Sequence, residues 1–268
     1  MRTIVTARPL GRRLATAAAA VGLAASLTAC TIGTGDDGKG TGSGTASSAE
    51  SAAPSSGAPG DAGGAAGAGT PDTPIEDLIL SAQDAPELNL QAVPADQISE
   101  GLKAMGGITE GARVEPPECA DFNQATLDAQ AAPGTTAIRT GQSGSSPVAV
   151  AVSTVADGVR SQRASVERCP DMTVTLPLQG TEVRMKTTNT LLPHEAPEGV
   201  EDFVALSQKS SMDLGGVTQG STNVVINGVV RGVAVTVSAT GPEGGVPDSA
   251  RDAALRAFTT QVEKIRNA

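Results

Sequence analysis

The sequence has no tryptophan, no tyrosine and only three phenylalanines, Phe122, Phe203 and Phe258. Its core must therefore be built from Val, Leu, Ile, Ala and Met. Proteins that hold sugars or single-stranded nucleic acid stack the ligand on aromatic faces, and this chain has almost none to spare. Histidine is nearly absent too. A Ser-His-Asp device has only His194 to serve as its base. That residue sits in Leu192-Pro193-His194-Glu195-Ala196-Pro197, a proline-bracketed loop, where a lone histidine is more often solvated than catalytic. No Gly-x-Ser-x-Gly elbow occurs from Pro74 onward.

Basic charge is also short. There are 19 Lys and Arg against 29 Asp and Glu, a net charge of −10. Arg2, Arg8, Arg12 and Arg13 lie in an N-terminal stretch without a single acid, so the remainder is more acidic still. Such a surface repels phosphate backbones and anionic lipid headgroups, and nucleic acid is not expected as a partner.

No apolar run is long enough to cross a bilayer comfortably. The longest, Leu14–Leu27, is too short. It follows the basic residues Arg2 to Arg13 and ends in Leu27-Thr28-Ala29-Cys30. This resembles the bacterial lipobox, in which a peptidase accepting small residues cuts before the cysteine and the thiol carries a diacylglycerol. Residues 1–29 then form a lipoprotein signal peptide, and Cys30 is the lipidation site. Two acyl chains hold a protein stably at a membrane, at about 0.8 kcal/mol per buried methylene, where one chain does so only marginally. The expected location is the extracytoplasmic face of the cell membrane, with palmitate-type chains as the anchor. Arg12-Arg13 invites a twin-arginine reading, but Leu14-Ala15-Thr16 fits that motif poorly.

Residues 30–73 begin with Cys30 and continue as Gly, Ser, Ala, Thr, Pro and Asp without hydrophobic period. Such a tract cannot bury apolar area and is expected to be a disordered linker. As a flexible coil it reaches about 35–40 Å. Gly33 to Lys39 matches most of a phosphate-binding loop. Gly40 stands where Ser or Thr is needed, and no strand or helix pattern flanks the match.

Residues 74–268 have a globular mixture, enough for one domain with a sizeable core. Thr73-Pro74-Ile75-Glu76 reads as a capped helix start. Ile98, Leu102 and Met105 mark a second helix over Asp96–Met105, ended by Gly106-Gly107. A third is expected from Pro116-Pro117 through Phe122 toward Leu127. The period then becomes two at Val148, Val150 and Val152, a half-buried strand that pairs with Thr136–Thr140 across a turn at Gly141–Ser146. Val159–Arg168 reads as a polar helix. Met172, Val174, Leu176 and Leu178 form a hairpin with Val183 and Met185, and Pro177 points to an edge strand or a bulge. Phe203, Val204 and Leu206 mark another strand. Val224-Val225-Ile226 and Val229 to Val237 flank Asn227-Gly228, the preferred turn, with Arg231-Gly232 as its rival. Leu255, Phe258, Val262 and Ile265 form the apolar stripe of a last helix, capped by Ser249 with Asp252 in its first turn. The fold class is therefore α+β: an antiparallel β-sheet flanked by helices, a single domain after a disordered tether.

With Cys30 set aside, Cys119 and Cys169 remain. Outside the cytoplasm an even pair most simply forms one disulfide, contributing up to about 4 kcal/mol. The alternatives are two free thiols or a metal site short of ligands. Glu195, Glu198, Glu201 and Asp202 form an acidic cluster. Its spacing does not match a Ca²⁺ loop, and paired carboxylates for glycoside hydrolysis lack the aromatic platform. A solvated charged loop is the simpler account.

Glu115-Pro116-Pro117-Glu118-Cys119-Ala120 leads into one helix, and Val166-Glu167-Arg168-Cys169 ends another and opens the strand at Met172-Thr173-Val174. The Asn223-Val224-Val225 hairpin region and the C-terminal helix follow. This order resembles the PknH-like extracellular sensor domain family, found on a mycobacterial receptor kinase and on many actinobacterial lipoproteins. The resemblance covers about residues 74–268. It implies an antiparallel sheet flanked by helices, a ligand-binding cleft and no catalysis. Family members commonly hold two disulfides and a tryptophan before the second cysteine; this chain has one pair and Val166 near that place. Only Cys119 and Cys169 carry over.

The expected function is that of a membrane-anchored cell-envelope lipoprotein whose domain binds a small molecule, a lipid or a partner protein without catalysis. No cofactor or metal is implied, and the ligand-binding residues are left unassigned. The alternatives are an envelope lipid carrier, which needs a large apolar cavity, a structural or assembly lipoprotein with no pocket, and a hydrolase.

Overall fold

The computed structural model describes residues 69–268, apart from 110, 121–123, 179–180 and 215–216. Cys30, the lipobox, the tether up to residue 68 and Phe122 lie outside the described residues.

Wherever the sequence alternates apolar and polar residues, it forms a strand. The strands are β1 Gln91–Ala92, β2 Arg113–Glu115, β3 Thr136–Ser143, β4 Ser146–Ser153 and β5 Asp171–Leu178. Then come β6 Thr181–Leu191, β7 Glu201–Leu214, β8 Val217–Val230 and β9 Val233–Pro242. They make one sheet in the order β1-β3-β4-β9-β8-β7-β6-β5-β2. Every pairing is antiparallel. The helices are α1 Ile75–Leu78, α2 Ala95–Thr109, α3 Gln124–Gln130, α4 Asp157–Arg168 and α5 Asp248–Arg266. The described residues thus form an α+β domain, as the sequence pattern leads one to expect.

The long C-terminal helix α5 lies on one face, across β9, β8, β4 and β3. Its stripe of Ala250, Ala254, Phe258, Val262 and Ile265 is buried against Val150, Val235, Val237 and Ile226. Each fully buried side chain of this size contributes about 1.5–3 kcal/mol. Phe258 also meets Phe203, with ring centroids 5.6 Å apart and planes tilted by 59°. Gly228 lets the ring approach: a Cβ there would lie 3.2 Å from Phe258 Cζ and would collide with Val200. On the opposite face α4 covers β7 and β8 through Val166, Val204, Leu206 and Val225. Helices α2 and α3 cover the β3 side through Ile98, Leu102, Leu127 and Ile138.

The segment after the tether is latched to α5. Fully buried Gln261 accepts from Leu80 N at 2.8 Å and donates to Leu78 O at 2.8 Å. Lys264 Nζ donates to Ile79 O and to Asp84 Oδ2. Burial opposes the charge on Asp84, but the Ser81 backbone N–H, the Lys264 ammonium and the Ser81 hydroxyl outweigh it. The carboxyl is lowered to about 2.

Several local expectations give way to tertiary packing. The tight turn between β8 and β9 falls at Arg231-Gly232, not at Asn227-Gly228. Arg231 and Gly232 take positive φ of 50° and 78°, which a two-residue hairpin requires. Asn227-Gly228 instead runs on inside β8, where Asn227 faces Thr236 and its amide donates to Gln162 Oε1. Helix α2 passes through Gly106-Gly107, because the Gln124 side chain seats on Gly106 where any Cβ would stand. No continuous helix runs from Pro116 to Leu127. Pro117–Cys119 is a single 3-10 turn, and α3 starts at Gln124. Pro74 and Pro247, not Thr73 and Ser249, precede α1 and α5, and neither makes a side-chain cap. Proline before the first turn fixes the chain direction there instead.

Candidate functional site

Helix α5 packs on β9, β8, β4 and β3, which leaves much of the same face of β5, β6 and β7 uncovered. Register fixes which side chains share that bare surface, because cross-strand neighbours point to the same side. One row runs Glu115, Thr173, Lys186, Ser211 and Gly220 from β2 to β8. The next runs Asp171, Thr188, Lys209 and Thr222. The third runs Thr190, Ser207, Val224 and Ala239, where the apolar core under α5 begins.

These two outer rows floor an open groove of about 400 Å³. Lys186 and Lys209 stand in its middle, beside the hydroxyls of Thr173, Thr188 and Ser211. Carboxylates stand at its rim. Glu115 and Asp171 lie on the β2–β5 side and Glu243, beyond β9, lies on the other. The Glu243 side chain lies over Gly220, in space that a Cβ would fill. The backbone carbonyl of the same residue accepts from Thr222 Oγ1 at 3.2 Å. Asp171 Oδ1 accepts from Thr188 Oγ1 at 2.6 Å. Neither lysine has an ion pair or a side-chain hydrogen bond, and both are exposed.

Cys119 and Cys169 form a disulfide with Cα atoms 5.8 Å apart. It packs with Val114 and Val174 on the side of the sheet opposite the groove. By joining the turn after β2 to the start of β5 it holds the short strand of Glu115 in place. The sequence reading thus found the strut of the site and missed the site itself. The available signal was the polar alternation Thr173, Thr175 on β5, Lys186, Thr188 on β6 and Lys209, Ser211 on β7. Its meaning depends on a strand order that one sequence does not reveal.

The other residues singled out by sequence lie at the opposite pole. His194 is exposed in the loop between β6 and β7, and its backbone N–H donates to Leu192 O. Of the acidic cluster, Glu198 pairs with Arg266 at 3.7 Å and Asp202 with Arg160 at 3.9 Å. Glu195 and Glu201 are exposed. Among the described residues no group of three His, Cys, Asp or Glu side chains is arranged to hold a metal. No helix among them is long and apolar enough to cross a membrane. The described residues begin at this same pole, at Gly69. Arg231 Nε donates to Gly69 O at 3.1 Å, and Nη1 donates to Ile265 O and Ala268 O, at 3.2 and 2.6 Å. From Val230 back to Ser221 along β8 is about 30 Å at 3.3 Å per residue. The groove and Gly69 are therefore at opposite ends of the sheet.

No family model matches the sequence, and no curated protein matches it. Among solved structures, the chain is similar to the extracellular domain of PknH from Mycobacterium tuberculosis. The identity is 17%, the TM-score 0.33, and the match covers 66% of this chain and 99% of that one. This is a weak neighbour from the family that the cysteine motifs resemble, and a likeness at that score carries no argument about function.

Proposed function

We propose that this protein is a cell-envelope lipoprotein, anchored through Cys30 on the extracytoplasmic face, whose domain binds a ligand or partner without turning it over. The tether separates anchor from domain, and the sensor-like family suggested by the cysteine motifs fits such a role. One observation carries the reading: a groove centred on two lysines that the fold itself leaves without partners. Charged side chains without protein partners in a concavity are available to a ligand. The groove lining contains no histidine or cysteine. Its polar lining also favours this reading over a lipid carrier, because the interface between sheet and α5 is filled by Phe258, Val262 and Ile226.

The test uses the full chain in cells. Labelled palmitate enters the wild type and not Cys30→Ala, and only the wild type partitions into the detergent phase. A photo-crosslinker at Ser211 gives an adduct that one at Glu100, on α2 across the sheet, does not. Equal labelling of Cys30→Ala contradicts the anchor. A hydrolytic activity of the pure protein that His194→Ala abolishes contradicts the non-enzymatic assignment.

A further inference from the structure

The structure assigns the groove a ligand class: a small hydroxylated molecule carrying one phosphate or carboxylate group, held between Lys186 and Lys209. This rests on the binding reading above and adds the chemistry.

Lys186 faces Ser211 and Lys209 faces Thr188, so the lysines are diagonal neighbours on adjacent strands. That geometry separates their Cβ atoms by about 7 Å. Two ammonium groups with free stems can close on one tetrahedral or planar anion from such positions. Acids outnumber bases heavily in this chain. Several other cations are engaged: Arg160, Arg251, Lys264 and Arg266 in ion pairs, Arg231 with backbone carbonyls. The groove lysines are not, although three carboxylates stand nearby. Asp171 is turned to the Thr188 hydroxyl, and Glu243 lies over Gly220. The acids are therefore at the rim and the cations in the centre.

This order limits the ligand as well as attracting it. One anionic group meets two ammonium groups and, around them, the hydroxyls of Thr173, Thr188 and Ser211. Toward β2 and toward β9 a long polyanion meets Glu115, Asp171 and Glu243, which repel it. A single anion on a hydroxyl-bearing body satisfies both conditions, since the rim carboxylates accept hydrogen bonds from neutral hydroxyls. A free sugar phosphate and the headgroup of an anionic phospholipid share this chemistry.

The experiment measures acetylation rates of Lys186 and Lys209 by mass spectrometry in the full, lipidated chain. Exposed Lys103 on α2 is the internal reference. The probes are inorganic phosphate, glucose 6-phosphate, glucose, and vesicles of phosphatidylglycerol or phosphatidylcholine. Glucose 6-phosphate slows both groove lysines about tenfold when the site is nine-tenths filled, and leaves Lys103 unchanged. Glucose alone has no effect. Added salt weakens the protection. Protection by phosphatidylglycerol vesicles without protection by glucose 6-phosphate supports the same anion site and places its source in the bilayer. In Lys186→Gln/Lys209→Gln, whose altered side chains are exposed and leave the fold intact, the rise in melting temperature with glucose 6-phosphate disappears. Protection by glucose equal to that by glucose 6-phosphate overturns the anion assignment while leaving a binding groove. Groove lysines that react like Lys103 with every probe overturn both.

Discussion

The two halves of one sheet face contrast sharply. Under α5 the positions facing the helix are Val148, Val150, Val224, Ile226, Val235 and Val237, all buried. Beyond the helix, on the same face, strands β5 to β7 present Thr173, Lys186, Thr188, Lys209 and Ser211. Strand geometry and period are the same in both. What differs is whether a second layer removes the face from water. Valine gains from that removal, whereas threonine and lysine fit a pleated surface that stays wet. The fold therefore concentrates its stability on one half and leaves the other half free to carry chemistry.

This contrast can be broken most strongly from the covered side. Phe258→Ala empties the space above Gly228 and beside Phe203 and costs about 3–5 kcal/mol, read as a fall in the denaturation midpoint. Cys119→Ala opens the clasp between β2 and β5 and costs about 2–4 kcal/mol. It acts beneath the bare half, so it also loosens Glu115 at the groove rim. Gln261→Ala leaves the Leu80 N–H and the Leu78 carbonyl buried without partners and costs about 2–3 kcal/mol. In the bare half, Lys186→Gln/Lys209→Gln changes stability by no more than about 0.5 kcal/mol.

The smallest effect concerns pH. Asp84 is held at about 2, below its ordinary 3.8. A carboxyl lowered by folding contributes stability above its unfolded value and loses that contribution as pH falls through the folded value. The latch to Lys264 therefore weakens between pH 3.8 and about 2. With the Asp84 side chain 34% exposed, solvent limits the loss to about 1 kcal/mol or less. Asp84→Asn removes that slope from an acid titration of the melting temperature.

Much of the covered half was legible in the sequence. The alternating valines of β4 and the stripe Leu255, Phe258, Val262 and Ile265 are strong periodic signals, and burial follows from them directly. Parity and compartment suggested the pairing of Cys119 with Cys169. The β8–β9 turn was misread because local propensity favours Asn-Gly, while pairing over the length of β9 places the turn at Arg231-Gly232. Proline overrode the expected caps at Thr73 and Ser249 in the same way. The groove was not legible at all. Thr173, Lys186 and Lys209 read as ordinary solvated strand positions until strand order placed β5, β6 and β7 side by side, beside the strands that α5 covers. His194 and the acidic cluster draw attention by residue type, and they lie at the pole of Gly69, away from the groove.

The central claim, that the uncovered half of the sheet is the working surface, is tested most directly by hydrogen exchange on the full chain with and without glucose 6-phosphate. The account predicts that amides of β8 and β9 between Val224 and Ala239 are the slowest in both states. It predicts that the sugar phosphate slows exchange only around 171–175, 184–188 and 207–213. Slowing confined to the region under α5, or to the pole of His194, would contradict it.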